Sequence, residues 1–207
     1  MKASPNRPVR KSWHPLLAIA AILMAPALLT GCARPADDDI TTLLGEAYQC
    51  KWLEVSEYRK TDSLPGLWTY VAQYSFQLKF KDGEAGARNF NQGWLAAVPS
   101  SEKDLFKALQ SPPVQEYMLT ECSESAQKVL EQLAKHVVDE VEDKTSDVRL
   151  PLVVPMSGWA EMSKGKNGWE MEVRRDKISG NLGYTAPMKW EQVSPRVAAA
   201  IKQGSKQ

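Results

Sequence analysis

Tyr70-Val71-Ala72-Gln73-Tyr74-Ser75-Phe76-Gln77-Leu78-Lys79-Phe80-Lys81 alternates strictly. Tyr70, Ala72, Tyr74, Phe76, Leu78 and Phe80 fall on one side of an extended chain, and Gln73, Ser75, Gln77, Lys79 and Lys81 on the other. Side chains of a strand point alternately to opposite faces. The stretch therefore predicts one buried and one wet face, and with it an antiparallel sheet covered on one side. Lys81-Asp82-Gly83-Glu84 ends the strand. Before it, residues 61–66 are dense in turn formers and connect it to an earlier extended segment, 52–59.

Outward from this pair the period changes. Ile40, Leu43, Leu44 and Tyr48 recur at helical spacing behind Asp37, Asp38 and Asp39, whose charges suit a helix start. The aspartates lack the spaced oxygens and turning glycine of a calcium loop. The middle of the chain reads as helical. Ser101-Glu102-Lys103-Asp104 resembles a capping start, and Pro112-Pro113 forces a break. Ala126, Val129, Leu130, Leu133, Val137 and Val141 then form a long apolar stripe. Strands return in the last third. Residues 148–154 are interrupted by Pro151, which predicts an edge or a bulge. Lys164-Gly165-Lys166-Asn167-Gly168 is a hairpin signal between 159–163 and 169–174, and Trp169, Met171 and Val173 are expected on one face. A further strand is expected within 184–190, then a short helix opened by Ser194-Pro195. The sum is α+β, an antiparallel sheet with helices packed on one face. The run from Gly165 to Trp169, and the opening helix followed by a long strand, resemble cystatin-like and nuclear-transport-factor-like lipoprotein domains. The helical stretch 101–142 departs from that pattern.

The N-terminus carries a different kind of signal. Arg7, Arg10 and Lys11 precede fourteen apolar or small residues, 16–29. That run is shorter than the roughly 20 residues a membrane-spanning helix needs and fits a secretory signal peptide. Leu29-Thr30-Gly31-Cys32 closes it and resembles the lipobox of bacterial lipoproteins. Ala25-Pro26-Ala27 is a poorer cleavage site. The resemblance implies cleavage before Cys32, lipid on Cys32 and membrane anchoring in the cell envelope. Ala33 in place of aspartate implies the periplasmic face of the outer membrane. The expected organisation is a signal peptide (1–31), a lipid-anchored tether (32–36) and a single α+β domain (37–207).

Such processing leaves 176 of 207 residues, enough for one domain with a core. Removing Lys2, Arg7, Arg10 and Lys11 from 26 basic residues leaves 22 against 25 acidic, a formal charge of −3. That composition argues against nucleic-acid binding. Cys50 and Cys122 are an even pair in an oxidising compartment and read as a disulfide, with two buried free thiols as the alternative.

No chemical constellation stands out. Only His136 survives processing, at the edge of the apolar stripe with no ligand or base partner nearby, so no H-E-x-x-H metal pair is possible. Gly-rich phosphate loops and a G-x-S-x-G elbow are missing. Asp139/Glu140 and Glu142/Asp143 are adjacent on a helix, where neighbours do not face each other. Six tryptophans remain in the mature chain. Trp68 and Trp94 stand beside Pro65-Gly66 and Gly93 and are the surface candidates for contact with a partner. The expected function is a non-catalytic binding or assembly module with envelope protein partners, without cofactor or metal. The alternatives are a small-ligand or lipid-binding lipoprotein with an apolar pocket, and an envelope enzyme. A binding module predicts an exposed apolar patch or sheet edge.

Overall fold

The computed structural model describes residues 34–66 and 69–204. The chain runs through α1 (Asp37–Ala47), β1 (Leu53–Pro65), β2 (Thr69–Phe80) and α2 (Gly83–Ala97). Three more helices follow, α3 (Leu105–Leu109), α4 (Pro112–Leu119) and α5 (Glu124–Glu142). Strands β3 (Asp147–Val148), β4 (Pro151–Gly165), β5 (Gly168–Ile178), β6 (Gly183–Tyr184) and β7 (Met188–Lys189) come next, then α6 (Trp190–Val193) and α7 (Pro195–Gly204).

The main sheet is antiparallel in the order β1-β2-β4-β5, with β6 on the far end of β4, and β3 pairs β7 separately. The fold is α+β. All six apolar residues of β2 predicted to face inward are buried, and β4 sets Val154, Met156, Ala160 and Met162 beside Leu78, Phe76, Ala72 and Tyr70. Together with Ile40 and Leu44 of α1, Phe90 and Trp94 of α2 and the stripe of α5, they form one core on that face. Each large apolar side chain so buried contributes about 1.5–3 kcal/mol.

Local signals behave as their chemistry requires. Asp104 caps α3, its side chain accepting from Lys107 N at 3.1 Å, and Ser123 caps α5 by accepting from Ala126 N at 3.3 Å. Ser194 does the same for Val197 N in α7. The hairpin at Gly165 and Gly168 forms as predicted, with Gly168 at φ 128°.

One expectation is corrected and two are made specific. Residues 61–65 extend β1 rather than turn, because an edge strand tolerates Pro65 and two bulges there. The chain reverses instead after Gly66, whose N–H donates to Thr69 O at 2.8 Å. Of the two alternatives read at Pro151, an edge or a bulge, the structure has the bulge: β4 is central, Pro151 is its first residue, and the pairing with β6 slips between Pro151 and Val153. Pro155 sits where the partner of β4 changes from β5 to β6, and its carbonyl accepts from Ser179 N at 2.8 Å. The strand expected within 184–190 is the two-residue β7, preceded by the end of β6, and Trp190 already begins α6.

Cys50 and Cys122 form a disulfide across 72 positions, tying the end of α1 to the start of α5. Beside it Ser123 N donates to Gln49 O at 2.8 Å and Ser123 Oγ to Ala47 O at 2.7 Å. Closing a loop of this length restricts the unfolded chain by about 4 kcal/mol on the entropic account. The Cys50→Ser/Cys122→Ser variant should therefore unfold at a clearly lower urea concentration, as should the reduced wild-type chain. Equal midpoints before and after reduction would refute this.

Candidate functional site

The site begins with a slip in register. β5 sets Val173 against Glu161 but Met171 against Met162, so Glu172 is the extra residue of a bulge. Trp169 and Met171 pack on the core as predicted, whereas Val173 turns to solvent and is 43 % exposed. Past the bulge the inward positions belong to Arg174, Asp176 and Ile178, opposite Ala160, Gly158 and Met156. A carboxylate and a guanidinium are thereby placed on the buried side.

Asp176 is built into a complete network. Tyr74, Gly158 and Asp176 lie in one row across β2, β4 and β5. A Cβ on Gly158 would overlap Asp176 Oδ1, so the missing side chain lets the phenol of Tyr74 reach across the middle strand. Tyr74 Oη donates to Asp176 Oδ1 at 2.9 Å, and Tyr48 Oη donates to Oδ2 at 3.0 Å. Arg174 Nη1 donates to the same Oδ2, and its Nη2 to Ser125 Oγ at 2.5 Å. The guanidinium also lies 4.8 Å from the centre of the Tyr48 ring. The Asp176 side chain is only 4 % exposed and that of Arg174 20 %. Burial costs a charge heavily unless partners replace its water, and here three donors do so. Burial first, then the neighbouring Asp176 charge, hold the Tyr48 and Tyr74 phenols well above their ordinary range. Both stay protonated donors at neutral pH and are unsuited to act as bases.

A cleft of about 490 Å³ opens over this network, between the first turns of α5 and β5. Val129, Met156 and Ile178 supply its apolar floor, and Ser125 and Gln132 part of its wall. Lys128 and Arg174 also line it, whereas the neighbouring Arg175 and Lys177 alternate to the other face of β5.

The second surface is the opposite face of the sheet. Leu64, Val71, Glu161 and Val173 form one cross-strand row, with Asp62, Gln73, Trp159 and Arg175 in the next. Leu64 is 66 % exposed. Val71, Trp159 and Val173 stand outside the core cluster, and Arg175 lies 5.9 Å from the Trp159 ring.

Of the residues singled out in the sequence, Cys50 and Cys122 are joined. Trp94 is corrected: it is fully buried in α2, its Nε1 donating to Asn91 Oδ1 at 2.9 Å, and offers nothing to a partner. Cys32 and Trp68 lie outside the described residues. His136 is exposed on α5. Among the described residues no group of three or more His, Cys, Asp or Glu is arranged to hold a metal, and no helix is long and apolar enough to cross a membrane. Tyr48, Tyr74, Gly158, Arg174 and Asp176 were not anticipated as a group. Their one sequence signal is Gly158, a glycine within a strand pattern, which marks close approach. Comparison with family models, with curated proteins and with solved structures gives no match for this chain.

Proposed function

We propose that this chain is a lipid-anchored envelope lipoprotein that acts as a non-catalytic binding or assembly module at the periplasmic face of the outer membrane. The observation that carries the binding half is the solvent face of the sheet. Leu64, Val71, Trp159 and Val173 share it without joining the core, and an exposed apolar surface rimmed by polar residues suits a protein partner. Trp68, between Leu64 and Val71 in the sequence, is the aromatic candidate nearest these residues along the chain. The anchoring half rests on the order of basic residues, apolar run and Leu29-Thr30-Gly31-Cys32. Several acyl chains hold a protein stably where one holds it marginally.

Metabolic labelling with a fatty-acid probe should mark the wild-type chain and be lost in Cys32→Ala. Unchanged labelling in that variant would overturn the anchor. On the same membranes, the yield of crosslinked complex should fall in Trp68→Ala and Val173→Asp at unchanged melting temperature. Full yield in both would overturn the partner surface.

A further inference from the structure

The two ends of the Cys50–Cys122 disulfide differ in their surroundings. Cys50 is 4 % exposed, whereas Cys122 is half-buried against the core. Both line an open depression of about 770 Å³, together with Gln49, Thr120, Glu121 and Gln127. We propose that this depression is a thiol-exchange site, at which Cys122 takes up a small cysteinyl thiol as a reversible mixed disulfide and Cys50 is the sulfur that leaves. The depression is of the size of small-ligand sites, which suits a small thiol.

A thiolate opens a disulfide by attacking one sulfur, and access and the stability of the departing thiolate decide which one. Access favours Cys122 as the sulfur attacked. Departure favours Cys50. The Trp52 N–H donates to Cys50 Sγ at 3.4 Å, the one donor that reaches a sulfur among the described residues. Lys81 Nζ donates to the Cys50 carbonyl at 2.7 Å, which fixes an ammonium at the same residue. An N–H donor and a nearby cation both stabilise a thiolate. In the exchange the incoming thiol gives its proton to solvent and its sulfur bonds to Cys122 Sγ. The S–S bond breaks, and its electron pair leaves on Cys50 Sγ. One disulfide is consumed and one is formed, so no further oxidant or reductant is needed. The site is also built to close again. Ser123 N donates to Gln49 O and Ser123 Oγ to Ala47 O, and neither bond involves a sulfur. The segments carrying the two cysteines therefore stay side by side once the disulfide opens. The Cys50 thiolate can then return to Cys122 Sγ and expel the added thiol.

The test uses the full chain, purified without reductant and kept free of denaturant, with glutathione as the probe thiol. After timed exposure at neutral pH the reaction is quenched with acid, free thiols are alkylated, and peptides are mapped by mass spectrometry. Glutathione is expected on Cys122 and the alkyl group on Cys50. Dilution out of glutathione should return the protein to its starting mass. Lys81→Gln keeps a donor but removes the charge, and should slow adduct formation about threefold, whereas Lys81→Arg should restore the wild-type rate. Lys81 is exposed, so both variants should keep the wild-type melting temperature. An adduct on Cys50, or divided equally between the two cysteines, would overturn the assignment of roles. No adduct unless urea is added, or a rate indifferent to the charge at position 81, would overturn the site and leave the disulfide as a structural staple alone.

Discussion

Trp94→Ala is expected to destabilise the protein by roughly 3–5 kcal/mol, the range for truncating a large aromatic residue in a core. The indole is 0 % exposed and packs in α2 among the residues of the single core. Its removal opens a cavity and strands a polar atom. Asn91, 1 % exposed, accepts from Trp94 Nε1 and donates through Nδ2 to Ala87 O at 2.8 Å. Without the indole, Asn91 Oδ1 has lost its donor in the interior, a penalty of about 1–3 kcal/mol. Trp94→Phe keeps most of the volume and isolates that second part. Urea unfolding of the two variants should therefore rank wild type above Phe and Phe above Ala. A loss below about 1 kcal/mol for Trp94→Ala would contradict its burial.

The misreading of Trp94 shows where local sequence runs short. β2 was legible because its alternation is written residue by residue, and the helix starts at residues 101–104 and at Ser194 because a polar side chain there acts on the next turn. α2 was hidden by its glycines. Ala87, Phe90, Trp94 and Leu95 do fall on one helical face, but Gly83, Gly86 and Gly93 lower helix propensity and read as turn. Gly93 is there for packing: a Cβ at that position would overlap the ring of Tyr117 on α4, whose hydroxyl donates to Asn89 O at 3.1 Å. A neighbour from another helix is invisible to any local rule. The bulge in β5 is hidden in the same way. Trp169, Met171 and Val173 alternate faultlessly, yet one unpaired residue turns Val173 outward and brings Arg174 and Asp176 in. The candidate site depends on that slip, so the residues most distinctive in space were the least distinctive in sequence.

Asp176 carries the other large effect. Asp176→Ala should cost about 3–5 kcal/mol, because it leaves the mostly buried Arg174 without its counter-charge. It also leaves the Tyr48 and Tyr74 hydroxyls without their acceptor. Asp176→Asn keeps the shape and one carbonyl acceptor, and should cost less. The alkaline limb separates this network from simple packing. Tyr48 and Tyr74 have an ordinary pKa of 10.0 in the unfolded chain and a raised one in the fold, burial being the first cause and Asp176 the next. A raised acid holds its proton more tightly when folded, so its contribution is fully present below pH 10 and is lost as pH climbs past that value. Stability of the wild type should then fall steeply above pH 10. Tyr48→Phe/Tyr74→Phe should flatten that fall, while destabilising the protein at neutral pH by leaving Asp176 with Arg174 as its one remaining partner in this network. Urea midpoints measured from neutral pH to about pH 11 decide it. An Asp176→Ala midpoint equal to wild type at neutral pH would show that the carboxylate is not paired. An alkaline limb unchanged by the double tyrosine variant would show that the phenols are not buried against it.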